Sequence, residues 1–173
     1  MAEKRKKYYW CSCAFILWLD EKGEPDDVDG LDEVVREVES GRADLFTSAF
    51  TKTEVLEGKM TDAQRALFNK LFQRRNVVQV DVTTRVLDLS TEIRNWNPKI
   101  SSGDAIHLAT AILYEADEFH TTDGGGKKRK RAGDLLPLNG NVAGHPLKIC
   151  KPRARQFSLL RGVSPPPEEK PKK

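Results

Sequence analysis

Apolar positions along this chain fall into short β-like runs separated by stretches of helical spacing. Tyr8 to Leu19 is apolar and aromatic, bounded by a charged start and by Asp20-Glu21-Lys22-Gly23. It predicts a buried strand running into a short helical turn. Residues 29–40 place Leu31, Val34, Val35 and Val38 on one helical stripe, and Gly41 suits the position just past its end. Asp44 to Thr47 reads as a short strand, and Ser48 as the cap of a helix reaching about Gly58. Thr61-Asp-Ala-Gln64 is a capping box, followed by an apolar face of Ala66, Leu67, Leu71 and Phe72.

Val77 to Asp81 is β-branched and short, and reads as a strand. Thr83 or Thr84 opens a helix with Val86, Leu87, Ser90 and Ile93 on one face. Ser101 or Ser102 opens another, reaching Ala116, with Ala105, Leu108, Ala109, Ile112 and Leu113 inside. Glu118 to Thr121 and Leu147 to Cys150 complete the set of strands. Strands separated by helices predict an α/β fold, a central parallel sheet flanked by helices on both faces. Residues 1–7 form a basic arm, 8–150 a single domain, and 151–173 a basic, Pro-rich tail expected to be disordered.

A chain of 173 residues is long enough for one domain with a real core and short for two. No run of 18 apolar residues exists, which excludes a membrane-spanning helix. The start has a basic patch before its apolar run but no small-residue cleavage site, so it reads as a first strand rather than a signal peptide. Three cysteines are an odd count that does not suit a disulfide framework and points to a reducing cytoplasm. On a strand, Cys11 and Cys13 would share a face with Cα atoms about 6.5–7 Å apart, beyond easy disulfide reach. No second pair of ligands at zinc spacing accompanies them, so they read as small buried hydrophobes.

Charge changes the picture. The net +3 hides an asymmetry: residues 8–123 carry 12 basic and 22 acidic side chains, residues 124–173 carry 13 and 3, and the first seven carry four and one. An acidic body does not attract a polyanion by itself. With basic arms it can hold metal in the middle and phosphates at the edges.

In parallel α/β folds the working site lies at the carboxyl ends of the strands. Glu54, on the helix after the second strand, Asp104, in the first turn of its helix, and Asp123, just past the fourth strand, are expected there. Acids gathered from distant parts of the chain repel each other, and a divalent cation makes such a cluster favourable. Mg²⁺ or Mn²⁺ is the natural occupant of an oxygen-lined site.

Four stretches in this order resemble the PIN-domain ribonucleases of the VapC toxin type. They are Tyr8-Tyr-Trp-Cys-Ser-Cys-Ala-Phe-Ile16, Thr47-Ser-Ala-Phe-Thr-Lys-Thr-Glu54, Gly103-Asp-Ala-Ile-His-Leu-Ala-Thr-Ala111 and Thr121-Thr-Asp123. The resemblance covers roughly residues 8–150. It implies a PIN-like fold and metal-dependent endoribonuclease activity on RNA phosphodiesters. It also implies a cognate antitoxin and a homodimer. Glu54, Asp104 and Asp123 would be the catalytic and metal-holding acids, with Ser12 and Thr121 or Thr122 orienting acids or water. The family carries an Asp near the end of its first strand, and Cys11 stands at that position here. A neutral thiol is a poor ligand for a hard cation, so the metal site is expected to be weakened.

The remaining signals have plainer readings. His107, one turn beyond Asp104, is expected to be a partly buried histidine satisfied by a neighbour. Asp117 and Glu118 are expected to be solvated. Gly124-Gly-Gly followed by Lys127, Lys128, Arg129, Lys130 and Arg131 is either an RNA-phosphate grip or a solvated or protein-facing loop. The alternative for the whole chain is a non-catalytic RNA- or protein-binding module with a degenerate metal site.

Overall fold

The computed structural model describes residues 4–57, 60–125 and 133–152. Lys127 to Arg131 and residues 153–173, the basic loop and nearly all of the tail, lie outside the described residues. Five strands form one sheet: β1 (Lys6–Trp10), β2 (Ala43–Ser48), β3 (Val77–Val80), β4 (Glu118–His120) and β5 (Ile149–Cys150). Every pairing is parallel and the order is β3-β2-β1-β4-β5. The helices are α1 (Ser12–Asp20), α2 (Pro25–Glu39), α3 (Phe50–Leu56), α4 (Asp62–Leu71), α5 (Thr84–Trp96) and α6 (Ser102–Leu113). This is the expected parallel sheet with helices on both faces.

The central strand shows how the two faces are filled. Tyr8 and Trp10 point to one side. There the Trp10 ring meets Phe15 and Trp18 of α1, and the Tyr8 hydroxyl donates to Glu37 of α2 at 2.7 Å. Tyr9 points to the other side, stacked on Phe119 and edge-on to Phe46, with its hydroxyl at His107 of α6. Both faces are covered, so the strand is apolar at successive positions instead of alternating. Tyr9, Trp10, Phe15, Phe68 and Phe119 are fully buried. Each such side chain contributes on the order of 1.5–3 kcal/mol of burial.

Three expectations need correction. The first strand stops at Trp10, and a nine-residue helix begins at Ser12 in place of a short turn. Helix α1 buries Ala14, Phe15, Trp18 and Leu19, spaced one, three and one. That stripe is hidden in a sequence whose other positions are also apolar. Helix α4 buries Phe68 and Leu71, while Leu67 is 42% exposed. Helix α5 buries Val86, Leu89, Ser90 and Ile93, while Leu87 is 45% exposed. In α4 packing buried Phe68 in place of its neighbour Leu67, and in α5 Val86, Ser90 and Ile93 are buried as expected while Leu89 takes the place of Leu87.

The helix ends lie where their residue types place them. Thr61 and Gln64 make the reciprocal capping box. Thr83 and Ser101 are the N-caps of α5 and α6. Gly41 closes α2 with φ at 74°. Ser48 is the last residue of β2, and its Oγ accepts from the Phe50 N–H at 3.2 Å at the start of α3.

Candidate active site

β1 leads to β2 and β3 on one side, and the chain then returns to place β4 on the other. The connections above β1 and β4 therefore diverge, which opens a crevice at the carboxyl ends of these strands. A cleft of about 680 Å³ lies there. Glu54, Asp104 and Asp123 all line it, and so do Cys11, Ser12, Thr121 and Thr122. Three acids from distant parts of the chain thus face one space. Their ligand atoms do not all close to within 4.8 Å of one another; among the described residues only Glu118, His120 and Cys150 do so.

Each acid is oriented by its own partners. Glu54 accepts from the Ser12 hydroxyl and from His107 Nε2 at 2.6 Å, both on Oε2, which leaves Oε1 toward Gly103. A Cβ at position 103 would lie 2.9 Å from that oxygen and 3.1 Å from the Phe50 ring, so glycine gives the carboxylate its room. Burial pushes the Glu54 carboxyl upward, but the bonds from His107 and Ser12 outweigh it and hold the group below its ordinary range. His107 is 1% exposed. Its Nδ1 lies 2.7 Å from the Tyr9 hydroxyl, whose oxygen accepts the Ser48 N–H at 3.2 Å. The tyrosine proton is thereby directed to Nδ1, which leaves Nε2–H for Glu54. The histidine is buried and satisfied, as expected, and its partner is a site acid.

Asp104 sits in the first turn of α6. The Ser101 hydroxyl donates to its Oδ2 at 2.6 Å while accepting its backbone N–H at 3.0 Å. The Asp123 N–H donates to Thr121 Oγ1 at 3.1 Å, and the Asp123 carbonyl accepts from Leu136 at 3.1 Å. Gly124 follows with φ at 86°; a Cβ there would lie 2.8 Å from Cβ of Asp134. This close approach brings Asp134, 7% exposed, into the cleft. Sequence reasoning missed Asp134 and the neighbouring Lys99. The Gly133-Asp134 pair carries no periodic signal, and its place depends on how the chain returns after residue 125.

Cys11 is the N-cap of α1 and is not part of a strand, and its side chain makes no capping bond. It is 3% exposed, with Sγ 2.7 Å from Cys13 Sγ and 3.4 Å from the His120 carbonyl. The expectation that the two sulfurs are out of reach is overturned. The chain turns into a helix between them, and the flat strand spacing does not apply. Burial, aided by Cys13, pushes the Cys11 thiol well up. The hydrogen bond from Cys11, against burial and with help from Thr121, brings Cys13 down to about 6. The carboxylates of the cleft fit a hard divalent cation, and the sulfur at position 11 does not.

Glu118 is also not solvated. It is 9% exposed, and its Oε1 meets Lys6 and Lys148, each at 2.6 Å. Asp117 accepts the Lys7 N–H at 2.8 Å. Trp10 Nε1–H donates to His120 Nδ1 at 3.2 Å, which leaves the His120 Nε2 proton for Glu118 Oε2 at 3.0 Å. That proton and the two ammoniums make the Glu118–His120–Cys150 group a closed network, not a cation site. Burial opposes ionisation of Glu118, yet the bonds from His120, Lys148 and Lys6 hold its carboxyl far below the usual range. A folded-state pKa below the unfolded value stabilises the protein above about pH 4.3, and the gain is lost as pH falls toward the folded value. Urea unfolding should therefore show stability dropping below about pH 5. Glu118→Gln should lose less over the same window, and an identical pH profile for the variant would contradict this assignment.

A family profile described as PIN domain matches residues 12–131. No curated protein matches the chain. Among solved structures the chain resembles VapBC2 of Rickettsia felis bound to a promoter DNA fragment, at 13% identity and a TM-score of 0.54, over 68% of this chain and 88% of that one. It also resembles a toxin–antitoxin complex of Klebsiella pneumoniae, at 19% identity and a TM-score of 0.50, over 67% and 86% of the two chains. A third is Mycobacterium tuberculosis VapC20, described as a sarcin-ricin loop cleaving toxin, at 14% identity and a TM-score of 0.50, over 68% and 90%. At these identities the likeness is one of fold.

Proposed function

The chain belongs to the PIN domain family, and from that premise we propose that it is a divalent-metal-dependent endoribonuclease, the toxin of a toxin–antitoxin pair. One observation carries the reading: Glu54, Asp104 and Asp123 face one cleft at the carboxyl ends of a parallel sheet. Ser12 and His107 hold Glu54, and Ser101 holds Asp104, so each of these two acids keeps one oxygen for a cation. Thr121 fixes the backbone of Asp123. Glu54, Asp104 and Asp123 would hold Mg²⁺ or Mn²⁺, with Asp134 beside them. Bound there, the ion supplies a water of lowered pKa and neutralises charge on the scissile phosphate. No side-chain nucleophile is required.

The structure of similar fold from Klebsiella pneumoniae is a toxin–antitoxin complex, which supports an antitoxin partner here. A homodimer and a cytoplasmic setting belong to the same reading; no helix of the described residues is long and apolar enough to cross a membrane. The second reading, an RNA- or protein-binding module with a degenerate metal site, is favoured by Cys11 in place of the expected Asp. Incubating RNA with the purified chain and Mn²⁺ or Mg²⁺, with a chelator control, separates the two. Cleavage that needs the cation supports the enzyme. RNA bound but intact under every metal condition supports the module.

The basic residues Lys127 to Arg131 directly follow the Asp123 turn in sequence and would draw RNA phosphates toward an acidic cleft. Replacing all five with Ser should flatten the dependence of RNA affinity on salt, because fewer counterions are released on binding. An unchanged salt slope would assign this segment to solvent or to a protein partner.

A further inference from the structure

Cys11 and Cys13 flank Ser12 at the start of α1, with Sγ atoms 2.7 Å apart. Only about 0.7 Å separates that distance from the ~2.05 Å of a disulfide bond. The two sulfurs differ in access. Cys11 is 3% exposed and lies beneath the helix start, whereas Cys13 is half-buried and both line the cleft. Neither is engaged by the expected chemistry of the acids, and apolar packing alone does not require two thiols in contact at a polar cleft.

We infer that Cys11 and Cys13 form a reversible dithiol–disulfide site at the cleft, oxidised by small disulfides of the glutathione class. Cys13, the less buried of the two residues and one that lines the cleft, attacks one sulfur of the small disulfide as a thiolate. The disulfide bond breaks, and one small thiolate leaves with the electron pair. Cys11 then loses its proton to solvent and attacks the Cys13 sulfur, expelling the second small thiolate. The protein pair is oxidised by two electrons, and the small disulfide is reduced to two thiols. Such pairs in reducing compartments are characteristically transient and redox-sensing.

The bond would be felt by the acids, and this part rests on the nuclease reading. Ser12, between the two cysteines, donates to Glu54. Cys13 Sγ lies 3.2 Å from Thr121 Oγ1, which also accepts the Asp123 N–H. Drawing the sulfurs together pulls on both supports. RNA cleavage by the oxidised form is expected to be slower by about tenfold, the lower end of what losing an orienting partner costs.

Cys150→Ser removes the third thiol, which lies outside the cleft. That protein is treated with oxidised glutathione and followed by intact mass and peptide mapping. The expected product has lost two hydrogen atoms, retains no glutathione, links Cys11 to Cys13, and is restored by dithiothreitol. Adding Cys11→Ser should trap a stable glutathione adduct on Cys13. No Cys11–Cys13 link, or an adduct that persists on Cys13 while Cys11 is present, overturns the site. A link that forms without altering cleavage overturns the control of activity and leaves the site standing. Absence of cleavage in the reduced protein counts against the nuclease reading instead, because the mass readout does not depend on it.

Discussion

On the proposed nuclease reading, Glu54→Gln is expected to lower metal-dependent RNA cleavage by about 100-fold or more, the upper end of what an orienting partner alone is worth and the least expected for an acid that holds the ion. The substitution keeps the size of the side chain and one oxygen to accept from Ser12 and His107. It removes the negative charge and turns an amide N–H₂ toward the space where a cation would sit. The loss should appear in the cleavage rate at saturating RNA rather than in RNA affinity, which is governed mainly by phosphate contacts. Asp104→Asn should behave alike. The double variant should be little worse than either alone, because groups that hold one ion act as a unit. Thermal unfolding serves as the folding control. Cleavage within twofold of the parent in either single variant, with the fold intact, would remove that residue from the catalytic set.

Cys11→Asp is expected to raise cleavage by about tenfold or more, and to make stability depend on divalent metal. Two physical effects act at this position. As N-cap of α1, Cys11 makes no capping bond, and aspartate is among the best residues there, worth about 1 kcal/mol. Against this, position 11 is 3% exposed and faces the His120 carbonyl oxygen, so a carboxylate without a cation is desolvated beside a partial negative charge. Mn²⁺ should relieve that cost. The melting temperature of the variant should rise with added Mn²⁺ by more than that of the parent. Equal metal-induced shifts together with unchanged cleavage would mean that residue 11 does not face the cation. The same substitution removes one sulfur of the Cys11–Cys13 pair, so oxidised glutathione should leave an adduct on Cys13 and form no Cys11–Cys13 link in this variant.

The network around Glu54 has a different standing from the acids themselves. Sequence spacing places His107 one turn from Asp104 on the same helix, which suggests a link between those two. The structure links His107 to Glu54 instead, through Nε2, with Tyr9 and the Ser48 N–H behind it. Tyr9, buried and pushed to a higher pKa by that burial, stays protonated and donates. The result is a chain of donors running from the end of β2 to a cleft acid.

Local chemistry determined much of this protein from sequence alone. Caps at Thr61, Thr83 and Ser101 are decided within one turn of chain, and each appeared where its residue type required. The parallel sheet followed from strands alternating with helices, because parallel strands need a crossover between them. Asp104 and Asp123 could be picked because first helical turns and strand ends are local positions whose place in an α/β fold is general, whereas Glu54, the fifth residue of α3, stood out through the resemblance. Tertiary packing decided the rest. The stripe of α1 was masked by apolar residues around it, and the burial of Phe68 over Leu67 depended on which neighbour reached them. Glu118 looked solvated because its partners, Lys6 and Lys148, are distant in sequence. Asp134 enters the cleft only through the return of the chain past Gly124. The contact of Cys11 with Cys13 exists because β1 ends at Trp10 and a helix begins at once. A strand and a helix place the same two residues differently, and only the surrounding fold sets where one gives way to the other.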